Sequence, residues 1–257
     1  MTDPSKSSVA IEFTRTSCRI DGRRLVISDL SLAIGTGETL ILLGRSGSGK
    51  TSALKLINRL LTPSEGQVEV EGKSTVEWDV IRLRRRIGYA IQEVGLFPHY
   101  TVEENISVLP KLENWPKERI AARVDELLGL VSLPAADFRR RYPHELSGGQ
   151  RQRVGLARAL AIDPPILLMD EPFGALDAIT RSDLQLQFKQ MQQRLGKTVV
   201  FVTHDVGEAL LLADRIALLE DGRLRGTYTP AEFISAQDPY VKPYMAVFRA
   251  GERNPTG

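Results

Sequence analysis

The chain has 257 residues, and its 34 Lys and Arg nearly balance its 32 Asp and Glu, for a formal net charge of +2. Such a composition is that of a soluble globular protein of one or two domains, and it argues against a nucleic-acid partner, because dedicated nucleic-acid-binding domains have a basic excess. A single cysteine, Cys18, argues against both a disulfide framework and a zinc site, and no apolar run approaches the roughly 18 to 20 residues of a membrane span.

Two kinds of strand pattern occur along the chain. Ile11 and Phe13 alternate with polar neighbours, as do residues 66–70, which predicts a half-exposed antiparallel sheet. Short and nearly continuous apolar runs predict buried parallel strands. These runs are residues 39–43, 87–91, 166–169, 198–202 and 216–219. Because they alternate with helical patterns, the predicted class is α/β.

A glycine-rich loop follows the first buried strand. Residues 44–51 fit the pattern G-x-x-x-x-G-K-[ST] without a mismatch, directly before a helical pattern that begins near Thr51. Glycines let backbone amides approach phosphate oxygens, Lys50 can contact the β/γ oxygens, and Thr51 can offer a hydroxyl to Mg²⁺. A flexible Gly/Ser loop is the weaker alternative. The predicted phosphate-contacting residues are Gly44, Arg45, Ser46, Gly47, Ser48, Gly49, Lys50, Thr51 and Ser52.

Between about residues 93 and 160 the pattern becomes helical. Thr101 and Glu104 form a capping-box pattern, Pro116 suits a first helical position, and Gly129 is a candidate cap at the end of the helix that follows. That helix has one apolar face, formed by Ile120, Val124, Leu127, Leu128 and Val131. Further along the chain, apolar residues recur at helical spacing and are interpreted as one buried helix face. They are Leu184, Phe188, Met191 and Leu195. A weak helix start appears at Pro230.

The strand at residues 166–169 leads into two acids, Asp170 and Glu171. Carboxylates are not buried unpaired, so we expect both at the carboxyl edge of the sheet, where ligands of α/β proteins bind. Asp170 could hold Mg²⁺, and Glu171 could orient or deprotonate a water. An acidic turn without function fits the pair equally well in isolation, but the phosphate loop upstream favours the site.

Residues 146–150 read Leu-Ser-Gly-Gly-Gln before a helical segment, with Ser147 as a good N-cap of a second anion site. With this signature the chain resembles an ABC-type ATPase, the nucleotide-binding subunit of an ABC transporter, over about residues 10–225. Three further marks appear in order, namely Gln92 after a strand, residues 175–177 beyond the acids, and His204 after a strand.

The resemblance implies a P-loop NTPase (RecA-like) core with a parallel sheet, an antiparallel β-subdomain and an inserted helical subdomain. It implies ATP and Mg²⁺ as ligands and a head-to-tail homodimer with ATP at the interface. The implied catalytic residues are Glu171, His204 and Lys50, and the implied Mg²⁺ contacts are Thr51, Gln92 and Asp170. The signature that would contact the nucleotide of the other subunit comprises Ser147, Gly148, Gly149 and Gln150. Asp177 would lie at the interface between the two subunits. Ile20 occupies the position where relatives place an aromatic residue against adenine.

The same resemblance implies one ABC ATPase domain over residues 1–257. Its ATP-binding core comprises about residues 10–92 and 161–225, its helical subdomain residues 93–160, and its C-terminal tail residues 226–257. Since the chain shows no membrane span, the implied partners are membrane permease subunits and an extracytoplasmic substrate-binding protein. The implied location is the cytoplasmic face of the inner (plasma) membrane.

Residues 88–99 and 170–177 most resemble bacterial importers of quaternary amines such as glycine betaine and choline. Val94, Leu96 and Phe97 look exposed and apolar, which predicts contact with the permease, although they could instead cap the helical subdomain. Import of another small solute, such as an amino acid or a sulfonate, stays open. A soluble ABC ATPase is less favoured, because the chain has one cassette and no sustained heptads.

Overall fold

The computed structural model describes residues 8–91, 95–174 and 176–253. The described residues form two compact units, of which the first comprises residues 8–84 with 197–253 and the second comprises those within Arg85–Gly196. In this part of the chain, every helix is too short or too polar to serve as a membrane span. The finer bounds of the helical subdomain, near residues 93 and 160, stay a prediction.

The first unit combines two sheets with helices. Its strands are β1 (Val9–Ile20), β2 (Arg24–Gly35), β3 (Thr39–Leu43), β4 (Glu65–Val70), β5 (Lys73–Ser74), β8 (Thr198–Thr203), β9 (Arg215–Glu220) and β10 (Arg223–Tyr228). Its helices are α1 (Lys50–Ile57), α2 (Val80–Arg85, which ends at the unit boundary), α8 (Val206–Leu212), α9 (Pro230–Ser235) and α10 (Lys242–Arg253).

The predicted antiparallel sheet is present, with strand order β2-β1-β4-β5. Ile11 pairs with Val70 and Phe13 pairs with Val68, and all four side chains are buried. The alternation of apolar and polar residues therefore reports one buried face of this sheet, as expected for antiparallel strands with one side in solvent.

The second sheet of this unit contains β10, β9, β3 and β8 in that order. All five residues of β3 are buried, and β3 pairs in parallel with both β8 and β9. In this register Leu43 pairs with Thr203, so the loops that follow β3 and β8 leave the sheet at the same edge. The class predicted as α/β is thereby confirmed.

Two elements of this unit were not predicted from the sequence. β10 follows β9 after a tight turn and pairs with it antiparallel, although only Leu224 and Tyr228 in its sequence suggest a strand. α10 spans twelve residues in the segment that the sequence analysis treated as a tail. β10 forms a hairpin with the preceding strand, whereas α10 packs against neighbours distant in sequence, which local patterns do not show.

The second unit carries most of its residues in helices. Its strands are β6 (Ile87–Ala90) and β7 (Ile166–Asp170), which pair in parallel. Its helices are α3 (Val102–Leu112), α4 (Lys117–Leu130), α5 (Ala135–Phe138), α6 (Gly148–Ala159) and α7 (Ala178–Leu195), with a 3₁₀ turn at Pro143–Glu145. β6 ends one residue earlier than predicted, and β7 extends one residue further to include Asp170.

The apolar patterns of these helices predict their buried faces. Four residues of the predicted α4 face, Ile120, Val124, Leu127 and Leu128, are buried. On α7, Leu184, Phe188 and Met191 are buried, as predicted for a core stripe, while Leu195, the fourth predicted residue, is half-buried.

The predicted ends of α4 need two corrections. Pro116 is the N-cap rather than the first helical residue. Gly129 does not cap the helix but lies within it, and Ser132 takes the left-handed conformation instead, with φ of 55°. The amides of Ser132 and Leu133 donate to the carbonyls of Gly129 and Leu128, the two bonds that terminate a helix in a Schellman motif. A serine thus occupies the position that glycine usually takes.

The predicted capping box at the start of α3 is confirmed. The Oγ1 of Thr101 accepts from the Glu104 amide at 3.2 Å, and the Glu104 carboxylate accepts from the Thr101 amide at 2.7 Å. This second bond lowers the pKa of Glu104, because it stabilises the ionised carboxylate.

We predict that Thr101→Ala lowers the free energy of unfolding by about 1 kcal/mol, because one amide at the start of α3 loses its acceptor. Chemical denaturation monitored by circular dichroism measures the change. Thr227→Ala, at an exposed position on β10, serves as the matched control and is expected to change stability by less than about 0.5 kcal/mol. Equal effects of the two substitutions would contradict the assigned role of the cap.

Candidate functional site

The glycine-rich loop of the first unit has a backbone path that side chains cannot follow. A Cβ on Gly44 would lie 2.2 Å from the carbonyl oxygen of Leu219 and 2.6 Å from Ser48 Oγ. Gly49 has φ of 99°, and a Cβ there would lie 2.6 Å from the carbonyl oxygen of Val26. The loop therefore runs close to β9 and β2, and only glycine fits at these two positions.

The loop opens directly into α1, so that the positive end of this helix borders it. Lys50 is only 5% exposed, and its Nζ donates to the carbonyls of Gly44 at 2.7 Å and Arg45 at 2.9 Å. Ser48 is buried, and its Oγ has no hydrogen-bond partner among the described residues. The loop thus concentrates amides, an ammonium group and a hydroxyl that can all donate to an anion.

His204 follows the last residue of β8 and is exposed. The turn that carries it is held by polar contacts, since the Asp205 amide donates to Thr203 Oγ1 at 3.0 Å and Asp205 Oδ1 accepts from the Glu208 amide at 3.1 Å. Thr203 and Glu208 are both buried and also bond to each other through their side chains. The sequence analysis missed this Thr203–Glu208 pair, because its only local signal is a threonine at a strand end.

One pocket of the first unit, with a volume of about 620 Å³, is lined by both Arg45 and His204. The phosphate loop and the predicted histidine are thus brought to one place by the pairing of β3 with β8.

Ile20 is placed elsewhere in this unit. It is half-buried at the end of β1, pairs with Arg24 across a turn, and does not line that pocket. Its predicted adenine contact stays a prediction.

In the second unit, both predicted acids stand at the end of β7. Asp170 is its last residue and only 8% exposed, and the hydroxyl of Tyr89 on β6 lies 3.5 Å from its Oδ2. Burial and the Asp170 carboxylate together raise the pKa of Tyr89. Glu171 has φ of 45°, a left-handed conformation that glutamate rarely adopts, which is typical of residues held in place at functional sites.

The signature segment begins α6 as predicted. Ser147 is its N-cap, with Oγ accepting from the Gln150 amide at 3.2 Å, while Gln150 Oε1 accepts from the Ser147 amide at 2.9 Å. Ser147 is exposed and Gly148 is half-buried, but Gly149 is buried, and a Cβ there would lie 2.6 Å from Thr180 Cγ2 on α7. Packing against α7 is therefore a second reason for glycine at this position.

Asp177 is the N-cap of α7 and accepts from the Thr180 amide at 3.0 Å, a bond that lowers the pKa of Asp177. Gln92, with its neighbour Val94, lies outside the described residues, as does Ala175. The predicted roles of these three residues stay predictions.

Comparison with known proteins identifies the family. Residues 27–174 match the family model described as ABC transporter. The glycine betaine/carnitine/choline transport ATP-binding protein OpuCA of Bacillus subtilis (strain 168) is 48% identical over 235 residues, which cover 91% of this chain and 62% of that protein. The osmoprotectant import ATP-binding protein OsmV of Salmonella typhimurium is 51% identical over 209 residues, covering 81% of this chain and 55% of that protein.

The solved dimeric structure of a post-hydrolysis state of the ATP-binding cassette MJ0796, bound to ADP and Pi, is 33% identical with a TM-score of 0.76, over 86% of this chain and 98% of that chain. This similarity confirms the predicted P-loop NTPase fold. The chain spans about three-fifths of the length of the two curated relatives. Because the family match extends over more than half of the chain and includes the glycine-rich loop and the acidic strand, the protein belongs to the ABC transporter family.

Proposed function

We propose that this chain is an ATP-hydrolysing subunit that drives a separate membrane permease importing a quaternary amine such as glycine betaine or choline. The observation that carries the proposal is the geometry of the phosphate loop in the first unit. Two glycines without space for a side chain, the start of α1 and a buried lysine define a cradle of donors for polyphosphate.

The residues of this cradle fit a polyphosphate chain. Ser48 Oγ is a buried hydroxyl without a protein partner among the described residues, and a phosphate oxygen would satisfy it. Lys50 Nζ rests on two loop carbonyls, from which it could turn toward the β/γ oxygens. The half-buried Thr51 in the first turn of α1 offers a hydroxyl to Mg²⁺.

Hydrolysis requires a water to attack the γ-phosphorus while the bond to the bridging oxygen of ADP breaks. We assign to Glu171 the role of accepting the proton from this water, and to His204 a contact with the γ-phosphate. Thr51, Asp170 and Gln92 would hold Mg²⁺, which neutralises charge on the phosphate oxygens when bound. The position of Glu171 directly after Asp170, at the carboxyl end of β7, supports the first assignment.

A second copy of the chain is proposed to complete the site. The start of α6 at Ser147 is exposed, which suits an anion site that acts across a dimer interface. The similarity to a dimeric cassette bound to ADP and Pi supports this arrangement. Asp177 would lie at the interface between the two subunits.

The proposed permease contact lies on the loop before α3. Phe97 is 48% exposed and its ring lies 5.3 Å from that of Tyr100. The buried side chain of Asn105 accepts from the Phe97 amide at 2.8 Å and donates to the Phe97 and Tyr100 carbonyls. A loop held this firmly presents its aromatic rings as a preformed surface, which favours a partner over a passive cap. The permease would place the chain at the cytoplasmic face of the membrane.

The names of the relatives support the proposed substrate class. One curated relative is named for transport of glycine betaine, carnitine and choline, and the other for import of osmoprotectants. The proposal is tested by measuring solute uptake into vesicles that contain the complex with its permease. The labelled solutes are glycine betaine and choline and, as alternatives, an amino acid and a sulfonate. ATP-dependent uptake of the amino acid or the sulfonate alone would replace the quaternary amine as substrate.

We predict that Glu171→Gln abolishes ATP turnover by the complex while ATP binding is retained, because the amide cannot accept the proton of the attacking water. Release of inorganic phosphate and equilibrium binding of ATP measure the two effects. Glu118→Gln, at an exposed position on α4, is the control and is expected to leave turnover unchanged. Turnover of Glu171→Gln at the wild-type rate would remove this residue from the catalytic role.

We predict that Lys50→Ala weakens ATP binding on the order of tenfold or more, because the loop loses its buried positive charge. Calorimetric titration measures the affinity. Lys55→Ala, near the other end of α1, is the matched control and should bind ATP like the wild type. An unchanged affinity of Lys50→Ala would place the nucleotide outside this loop.

We predict that Phe97→Glu reduces uptake on the order of tenfold, because a charge replaces an aromatic anchor at the proposed permease contact. ATP affinity of the isolated subunit should stay within about twofold of wild type. Leu186→Glu, 49% exposed on α7 of the same unit, is the control. Equal uptake by both variants and the wild type would refute the contact.

A further inference from the structure

We propose that helix α10 positions the nucleotide site of the first unit, with Tyr244 supporting the phosphate loop at Arg45 and Phe248 supporting the turn that carries His204. The inference rests on the proposed ATPase function and adds a structural element to its site. α10 lies outside the segment that matches the family model.

α10 is held against the unit by one of its faces. Val241, just before the helix, and Met245 are buried, Tyr244 and Phe248 are half-buried, and Val247 is 74% exposed. This spacing of three and four residues is that of an amphipathic helix with one face on the protein. α10 therefore has a defined orientation, in which the same face presents Tyr244 and Phe248.

The segment leading into α10 is anchored on β10. The hydroxyl of Tyr228 donates to Asp238 Oδ2 at 2.9 Å, and the guanidinium of Arg225 stacks 4.5 Å from the ring centre of Tyr240. At the other end, the guanidinium of Arg249 donates to the Ile234 carbonyl of α9. The helix is thus attached near both ends, so its position is determined by the sheet and by α9.

The first turn of α10 reaches the phosphate loop. Tyr244 lines the pocket of about 620 Å³ together with Arg45 and His204. Its phenol oxygen is buried, and the polar groups that act on it are the backbone amide of Arg45 and the carboxylate of Glu220. Burial and the Glu220 carboxylate raise the pKa of Tyr244, so the phenol stays protonated and can accept from the Arg45 amide while it donates to Glu220.

The second turn of α10 reaches the start of α8. A Cβ on Gly207 would lie 3.7 Å from Phe248 Cε2 and 3.1 Å from Asp205 Oδ1, so the ring packs on the residues just after His204. Asp205 caps α8, and its amide donates to Thr203 Oγ1, so these hydrogen bonds hold the turn rigid around His204. Loss of the Phe248 ring would remove the packing contact of this turn with α10 and leave the His204 side chain itself unchanged.

The two ends of α10 are expected to produce different kinetic defects. Phe248→Ala should lower kcat on the order of tenfold, because His204 is displaced from the γ-phosphate, while ADP affinity stays within about twofold. Tyr244→Phe should weaken binding of ATP and ADP alike by about fivefold, since the phosphate loop serves both nucleotides, with kcat unchanged. Phe248→Leu should restore most of kcat, and Ala246→Ser, at an exposed position of α10 outside that pocket, is the control.

The experiment combines kinetics of the complex with amide hydrogen exchange of the isolated chain. Exchange in residues 203–209 should accelerate in Phe248→Ala without nucleotide, and exchange in residues 44–50 should accelerate in Tyr244→Phe. A kcat unchanged in Phe248→Ala, or a parallel loss of kcat, affinity and melting temperature in both variants, would overturn the inference. If the wild type hydrolyses no ATP, the proposed function fails, yet exchange and ADP affinity still decide whether α10 positions the two segments.

Discussion

Close contacts of the phosphate loop with two neighbouring strands govern the arrangement of the first unit. The Leu219 carbonyl leaves no space for a side chain on Gly44, and the Val26 carbonyl leaves none on Gly49. Leu219 belongs to β9 and Val26 to β2, so the loop runs in close contact with both sheets of the unit. The donors of Lys50 and of the start of α1 converge only because the backbone runs so tightly.

Parallel pairing of strands then decides which residues join the loop. Leu43 and Thr203 are partners in the register of β3 and β8, and the chain leaves both strands toward the same edge. His204 reaches the pocket of Arg45 for this reason. Within the second unit the same rule applies, since Ala90 pairs with Met169 and the acids follow Met169 directly. Ligand chemistry at the carboxyl ends of strands is general in α/β proteins.

Short polar contacts hold the segments that leave these strands and helices. Ser147, Asp177 and Asp205 each cap the helix that follows them. Ser147 and Asp177 have proposed roles at the dimer interface, and Asp205 directly follows His204. A side-chain cap holds the first residues of the helix in place, and it thereby fixes the direction of the preceding turn. Function in this protein is therefore presented on turns whose geometry is set by helix caps, while α10 adds a support from a distant part of the chain.

The sequence by itself determined the elements whose conformation depends on neighbouring residues. The phosphate loop, the cap at Thr101 and the buried strands follow from local spacing, because backbone geometry and burial leave a regular pattern. Tertiary structure alone decided the rest. Ser132 rather than Gly129 ends α4, Gly149 is buried against α7, and α10 packs beside Arg45. Gly149 and α10 meet partners distant in sequence, and at the end of α4 the guanidinium of Arg153 on α6 donates to the Val131 carbonyl, so these outcomes depend on how distant segments meet.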